Sequence, residues 1–252
     1  MNIDLTNLNV LVTGASRGIG YAIARQLAIS GARVAIHYNV NANEANELAT
    51  FLGNNSLAFK ADLSQKAEVI RLFDDVLEEF QHLDVIINNA GIAIDSPLEK
   101  SDNDWIDDWE QTISVNLTAA ALLCKKSINH FITRSSGRII NIASRAAFRG
   151  DTAEYLAYAA SKSGMVGLTR SIARAYGKQG VKAFLLAPGF IKTDMAQGFI
   201  EKYGEDFILH DISLNRLTEV EDIVPIVVLL ASGMADHATG CTIDINAGSY
   251  VH

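Results

Sequence analysis

The sequence predicts an α/β fold, a doubly wound parallel β-sheet with helices on both faces, and three observations predict it. Short runs of β-branched and aliphatic residues recur along the chain, from NVLVT near the start to TIDIN near the end. Longer stretches between them carry helical patterning. A glycine-rich stretch, TGASRGIG, joins the first such run to the helix after it. Strands alternating with helices require crossovers, and right-handed crossovers lay the strands parallel with helices over each face.

In order, the expected strands are NVLVT (9–13), RVAIH (33–37), LAFKAD (57–62), DVIINN (84–89), RIINIAS (138–144), VKAFLLA (181–187) and TIDIN (242–246). Helices are expected over 18–30, 43–53, 65–80, 104–134, 155–178 and 219–231. After the first strand, Gly14, Gly18 and Gly20 permit a tight turn, close backbone approach to a phosphate and contact between helix and strand. The helix N-terminus that follows offers unpaired N–H groups to an anion. In a doubly wound sheet the ligand lies beyond the carboxyl ends of the strands, so residues just after strands are the candidate site.

The chain has 252 residues, 49% hydrophobic and 20% charged, enough apolar material for one core; a single domain spanning 1–252 is expected. Three prolines and the lack of low-complexity runs indicate no linker. MNIDLTNLNV lacks the features of a signal peptide, and no window nears the roughly 18 apolar residues of a membrane span. A soluble, cytoplasmic protein without membrane contact is expected. Cys124 and Cys241 form no CxxC pair and are read as reduced packing residues. The six histidines have no ligand spacing, so no metal site is expected.

In EYLAYAASKSG, Tyr158 and Lys162 are four residues apart and share a helix face. A phenol titrates near 10, and a neighbouring ammonium favours its ionised form. Lys162 is therefore expected to tune Tyr158 for proton transfer. Tyr155 lacks such a partner and is assigned to the pocket wall or to packing. Ser144, at a strand's carboxyl end, can hydrogen-bond a substrate oxygen and polarise it.

The glycine loop, NNAG (88–91), Ser144, Tyr158-x-x-x-Lys162 and PGFIKT (188–193), in this order over nearly the whole chain, resemble the short-chain dehydrogenase/reductase family. Within it, PGFIKTDM (188–195) makes the pattern most like the 3-oxoacyl-(acyl-carrier-protein) reductases. The resemblance implies a single Rossmann-type domain, a nicotinamide cofactor, hydride exchange between a ketone and a secondary alcohol, and a homotetramer. It places catalytic roles on Asn116, Ser144, Tyr158 and Lys162, with Asn116 holding a water in the proton relay. Cofactor contacts fall on Gly14, Ser16, Arg17, Ile19 and Gly20, on Asp62 and Leu63, on Asn89, Ala90 and Gly91, on Tyr158 and Lys162, and on Ile191 and Thr193. Asp62 can alternatively cap the next helix, and Asn88 is read as pinning neighbouring strands.

After the second strand AIHYNVNAN has no acid before Glu44 to accept a ribose 2′-OH, while Arg17 supplies a cation suited to a 2′-phosphate; NADP(H) is expected over NAD(H). The separation of Ser144 from Tyr158 is one residue longer than the family's commonest spacing. Residues 194–216 are expected to form a substrate lid. Eleven cations face two anions between Lys125 and Lys182, although the whole chain carries −8. With no recognition motif present, nucleic acid is not expected as a partner. A carrier-bound or small carbonyl substrate is, with Arg145 and Arg149 docking an anionic carrier. The alternatives are a sugar, polyol or other small secondary alcohol as substrate, or a cofactor-sensing protein without catalysis.

Overall fold

The computed structural model describes residues 3–191, 204 and 209–251. Among these, seven parallel strands form one sheet in the order β3-β2-β1-β4-β5-β6-β7. The strands are β1 (Asn9–Val12), β2 (Arg33–Tyr38), β3 (Leu57–Lys60), β4 (Val85–Asn88), β5 (Gly137–Ile142), β6 (Val181–Pro188) and β7 (Thr242–Ile245). The chain winds outward from β1 through β2 to β3, then returns to place β4 on the other side of β1. That reversal sets the switch point between β1 and β4, where a doubly wound sheet opens a crevice.

β1 is buried along its whole length, as expected of a strand covered on both faces. Val10 and Val12 pack towards α1 (Gly18–Ile29) and α8 (Val220–Ala231), with Ile23, Leu27, Val227 and Leu230. Leu11 points the other way, towards α3 (Lys66–Phe80) and α5 (Ala119–Arg134), among Leu72, Phe73, Val76 and Phe131. Each such aliphatic or aromatic side chain contributes about 1.5–3 kcal/mol on leaving water, which holds the helices on both faces. α2 (Ala42–Leu52) covers β2 and β3 by burying Ala45 and Leu48.

The expected helix over 104–134 is two helices joined by a π turn: α4 (Asp102–Ile113), the turn Ser114–Thr118, then α5. The stretch 155–178 is a 3-10 turn (Ala153–Tyr155), the long α7 (Leu156–Tyr176) and a second 3-10 turn. Tyr155 occupies the N-cap position of α7, with non-helical backbone, so it lies outside the helical face that carries Lys162. A further short helix, α6 (Ala146–Arg149), occupies the loop after β5. Of the lid expected over 194–216, all but residues 204 and 209–216 lies outside the described residues. No described helix is long and apolar enough to cross a membrane.

Candidate active site

A cavity of about 1070 Å³ runs along the carboxyl ends of β1, β2, β4, β5 and β6. Gly14, Ser16, Arg17 and Ile19 line one half, with Asp62, Leu63, Asn89, Ala90 and Gly91. Gly14 has φ +64°, and a Cβ there would stand 2.9 Å from the Ala90 Cα. At Gly20 a Cβ would stand 2.2 Å from the Gly14 carbonyl oxygen. These glycines let the loop, α1 and the loop after β4 come together. The first turn of α1 has no acid and no capping side chain, and Gly18 and Ile19 border the cavity, so its leading N–H groups remain for an anion. Residues of this kind fit the pyrophosphate of a dinucleotide.

Side chains fix that loop from two directions. Asn89 Nδ2 donates to the carbonyls of Thr13 (2.9 Å) and Gly14 (3.2 Å), while the Asn89 and Ala90 N–H groups donate to Thr13 Oγ1 at 2.9 and 3.0 Å. His37, at the end of β2, is buried; the Gly14 N–H donates to its Nδ1 at 2.9 Å, and Nε2 lies 3.0 Å from the Ala61 carbonyl. These partners require the neutral tautomer protonated on Nε2. Burial lowers the His37 pKa to about 4, partly opposed by the bond to Ala61. Asp62 does not cap α3, whose N-cap is Gln65; its Oδ1 accepts the Ser64 N–H at 2.9 Å in a turn beside the cavity. Asn88 pins strands as expected, donating to Asn141 Oδ1 at 2.8 Å, and Asn141 in turn donates to Thr169 Oγ1 at 2.8 Å.

Ser144, Tyr158 and Lys162 line the other half of the cavity. Ser144 Oγ accepts the Ala146 N–H at 3.1 Å, and its hydroxyl lies on the Tyr158 side, where it favours the ionised phenol. Lys162 is buried on α7, with Nζ donating to the Ile142 carbonyl at 2.9 Å and 5.7 Å from the centre of the Tyr158 ring. Lys162 does not bring Tyr158 down as expected; desolvation sets the direction. Burial pushes the Tyr158 hydroxyl up to about 12 against the lowering effect of Ser144, and burial brings Lys162 down to about 8.

Asn116 lies in the π turn, fully buried. Its Oδ1 accepts the Ile92 N–H (2.8 Å), and its Nδ2 donates to the Ile92 carbonyl (2.8 Å) and to Ser161 Oγ (3.0 Å). Ser161 donates to the Tyr158 carbonyl at 2.7 Å. Asn116 thus ties the loop after β4 to α7, and the remaining Oδ1 lone pair is what its side chain has for a water. At Gly91 a Cβ would stand 3.3 Å from both Asn116 Oδ1 and Lys162 Nζ, so the loop passes close over them.

Ionic groups gather beyond Tyr158. Arg145 and Arg149 Nη1 donate to the same Asp211 Oδ2 at 2.7 and 2.8 Å. Asp151, Tyr155 and His210 line the same part of the cavity. Burial raises the Asp151 pKa, and Arg145 and Arg149 counter it. Burial also acts to raise Asp211, but Arg149 and Arg145 prevail and hold its carboxyl below the usual range. The two arginines expected to face a carrier are therefore partly neutralised within the chain.

Ile191 is buried and lines the cavity, whereas Thr193 lies outside the described residues. Sequence reasoning missed His37, Ser161 and Asp211. Each acts through a bond set by tertiary packing, although Ser161 sits visibly between the tyrosine and the lysine. No group of three or more potential metal ligands occurs among the described residues.

The sequence model of short chain dehydrogenases matches residues 8–204. A 3-oxoacyl-(acyl-carrier-protein) reductase of Staphylococcus epidermidis is 35% identical over 248 residues, covering 97% of this chain and 100% of that protein. One of Salmonella typhimurium is 34% identical over 241 residues, with 96% of each chain covered. Among solved structures, a putative NAD(P)-dependent gluconate 5-dehydrogenase of Beutenbergia cavernae with bound NADP superposes with TM-score 0.91 at 32% identity, covering 99% of each chain. A blue fluorescent protein from a metagenomic library, in complex with NADPH, gives TM-score 0.88 at 34% identity, covering 98% of this chain and 100% of its own. The chain belongs to the short-chain dehydrogenase family and is a nicotinamide-dependent oxidoreductase.

Proposed function

We propose that the chain interconverts a ketone and a secondary alcohol with NADP(H), using Tyr158 as proton donor and acceptor. The supporting observation is the convergence of Ser144, Tyr158 and Lys162 on one end of the cavity, with Asn116 fastened beneath them. The glycine loop, Asp62, Leu63 and residues 89–91 would hold the dinucleotide, with Ile191 and Thr193 at its nicotinamide end. When bound, the nicotinamide supplies or accepts the hydride. Ser144 turns its hydroxyl from Tyr158 to donate a hydrogen bond to the substrate oxygen, and Tyr158 gives its proton to that oxygen or takes it back. Lys162 supplies a buried cation that favours phenolate once water is excluded. The preference for NADP(H) is supported by the absence of an acid among residues 37–43 and by Arg17 at the cavity.

Tyr158→Phe should lower turnover by about a thousandfold or more, in line with loss of a general acid, while NADPH still binds. Retained turnover in Tyr158→Phe, or equal loss in Tyr155→Phe, would refute the assignment. A protein that binds NADPH but turns over no ketone would instead be the cofactor sensor.

For the substrate, the 3-oxoacyl reading is supported by the curated relatives. A small hydroxylated substrate of the sugar-acid type is supported by the ionic groups beyond Tyr158, because an acyl chain would further desolvate them without replacing their hydrogen bonds. The geometry favours the second. Cytoplasmic location and function as one domain belong to the same proposal. So does a homotetramer: α4 and α7 expose Ile106 and Leu156, and Trp105 stacks on Trp109 at 5.4 Å. Light scattering at micromolar concentration should give four times the chain mass; a monomer would refute it.

A further inference from the structure

We propose that Arg145 and Arg149 form the seat for a carboxylate of the substrate, and that Asp211 holds this seat until the substrate takes its place. The inference rests on the ketone/alcohol reading above and narrows its substrate to a carboxylate-bearing class. Asp211 already shows that the cradle fits a carboxylate, since both guanidinium groups reach one of its oxygens at 2.7 and 2.8 Å. The seat borders the same cavity as Ser144 and Tyr158. Arg145 is also covalently next to Ser144.

Exposure marks Arg145 as the fixed member of the three. The Arg145 side chain is 17% exposed, whereas those of Arg149 and Asp211 are 36% and 37% exposed. Asp211 stands in a segment of turns and bends that is anchored through the Ser213 N–H, which donates to the Ala247 carbonyl at 2.7 Å. Arg149 also reaches the Ser249 carbonyl at 3.4 Å, so it is held when Asp211 swings away.

Charge favours exchange over simple addition. With Asp211 seated, the two cations face Asp211 and Asp151, and Glu154 acts on Asp151 from the 3-10 turn. Adding an anion to this set would be repelled. Replacing one carboxylate by another preserves the balance and restores two charge-assisted hydrogen bonds. A neutral substrate that displaced Asp211 would leave the buried side of the arginine pair uncompensated.

A matched pair of substrates isolates the effect. 5-Keto-D-gluconate and L-sorbose share the chain around the ketone and differ in a carboxylate against a hydroxymethyl group. Asp211→Asn should raise the ratio of kcat/KM for the keto acid to that for L-sorbose, and Arg149→Gln should lower it about tenfold, the effect of one charge-assisted hydrogen bond. Arg145→Lys provides a second variant that keeps the charge and loses the fork; it should lower the ratio less than Arg149→Gln. Calorimetry without turnover gives the independent readout: the Tyr158→Phe variant with NADP+ should bind D-gluconate more tightly than D-sorbitol. Ratios unchanged across the variants, or equal binding of the two ligands, would overturn the proposal. Tyr158-dependent reduction of neutral ketones would still support the catalytic reading, so the two failures remain distinguishable.

Discussion

Around β1 and β2 the cavity wall is mostly backbone, with glycines whose missing Cβ atoms make room for neighbouring chain, whereas beyond β5 it is built from charged side chains on short helices and turns. In the first half, position is set by steric exclusion and by neutral hydrogen bonds, one accepted by His37 and others donated by Asn89. In the second it is set by ion pairs between segments far apart in sequence. A wall of backbone is suited to a ligand that does not vary, and a wall of side chains can be changed to suit a different substrate without disturbing the sheet.

The largest effect should come from adding one methyl group to each half. Gly20→Ala forces a Cβ to 2.2 Å from the Gly14 carbonyl and 2.6 Å from Asn89 Nδ2, so the loop must move. We expect NADPH affinity to fall by about a hundredfold or more, with a stability loss of about 3 kcal/mol from overpacking. Gly150→Ala meets nothing within 4 Å, and its φ of +80° is the strained feature. With ψ −176° this conformation is essentially confined to glycine, so the cost should be about 1–3 kcal/mol, with cofactor affinity retained. Fluorescence titration and urea unfolding measure both. Equal losses of cofactor affinity would erase the contrast between the two halves.

The next effect depends on acid. His37 has a pKa of about 4 in the folded chain against 6.5 for the free side chain, so the unfolded chain binds more protons between those values. Stability should be fully present above pH 6.5 and fall by about 3 kcal/mol on descending through pH 4. Protonation would set an N–H of His37 against the Gly14 N–H. His37→Asn retains an acceptor for Gly14 and does not titrate, and should lose this part of the slope in urea unfolding between pH 4 and 7. A slope identical to the wild type would show that His37 is not the group responsible.

Most of the sheet was legible because strand and helix periodicities are local. The glycine loop and the Tyr158–Lys162 spacing were legible because each requires few residues at fixed intervals. The break at Asn116 was not, since a π turn inserts one residue without disturbing a helical pattern seen from sequence. Nor were the partners of His37 and the arginines, because Gly14 lies 23 residues from His37 and Asp211 lies 66 residues from Arg145. The effect expected of Lys162 on Tyr158 rested on charge and spacing alone, but spacing says nothing about how dry the surroundings are, and desolvation dominates there.

The smallest expected effect tests how far the backbone half chooses its ligand with a side chain. Arg17 occupies the N-cap position of α1 with extended backbone, φ −156°, and lines the cavity beside Ser16 and Gly18. On the neighbouring rim, His37 has both ring nitrogens engaged with Gly14 and Ala61, so it has no remaining donor for a 2′-phosphate and no acceptor for a 2′-OH. Tyr38, Asn39, Val40 and Asn41, also on that rim, carry no charge. Discrimination between the two nicotinamide cofactors should therefore fall chiefly on the guanidinium of Arg17, which can form a charge-assisted bond to a phosphate. Arg17→Ala should lower kcat/KM for NADPH about tenfold, the value of one such bond, and leave that for NADH within about twofold. The loss should shrink as salt rises, because an exposed ionic contact is screened. Equal losses for NADPH and NADH would show that Arg17 shapes the loop and does not read the phosphate; selectivity on this side would then also come from backbone.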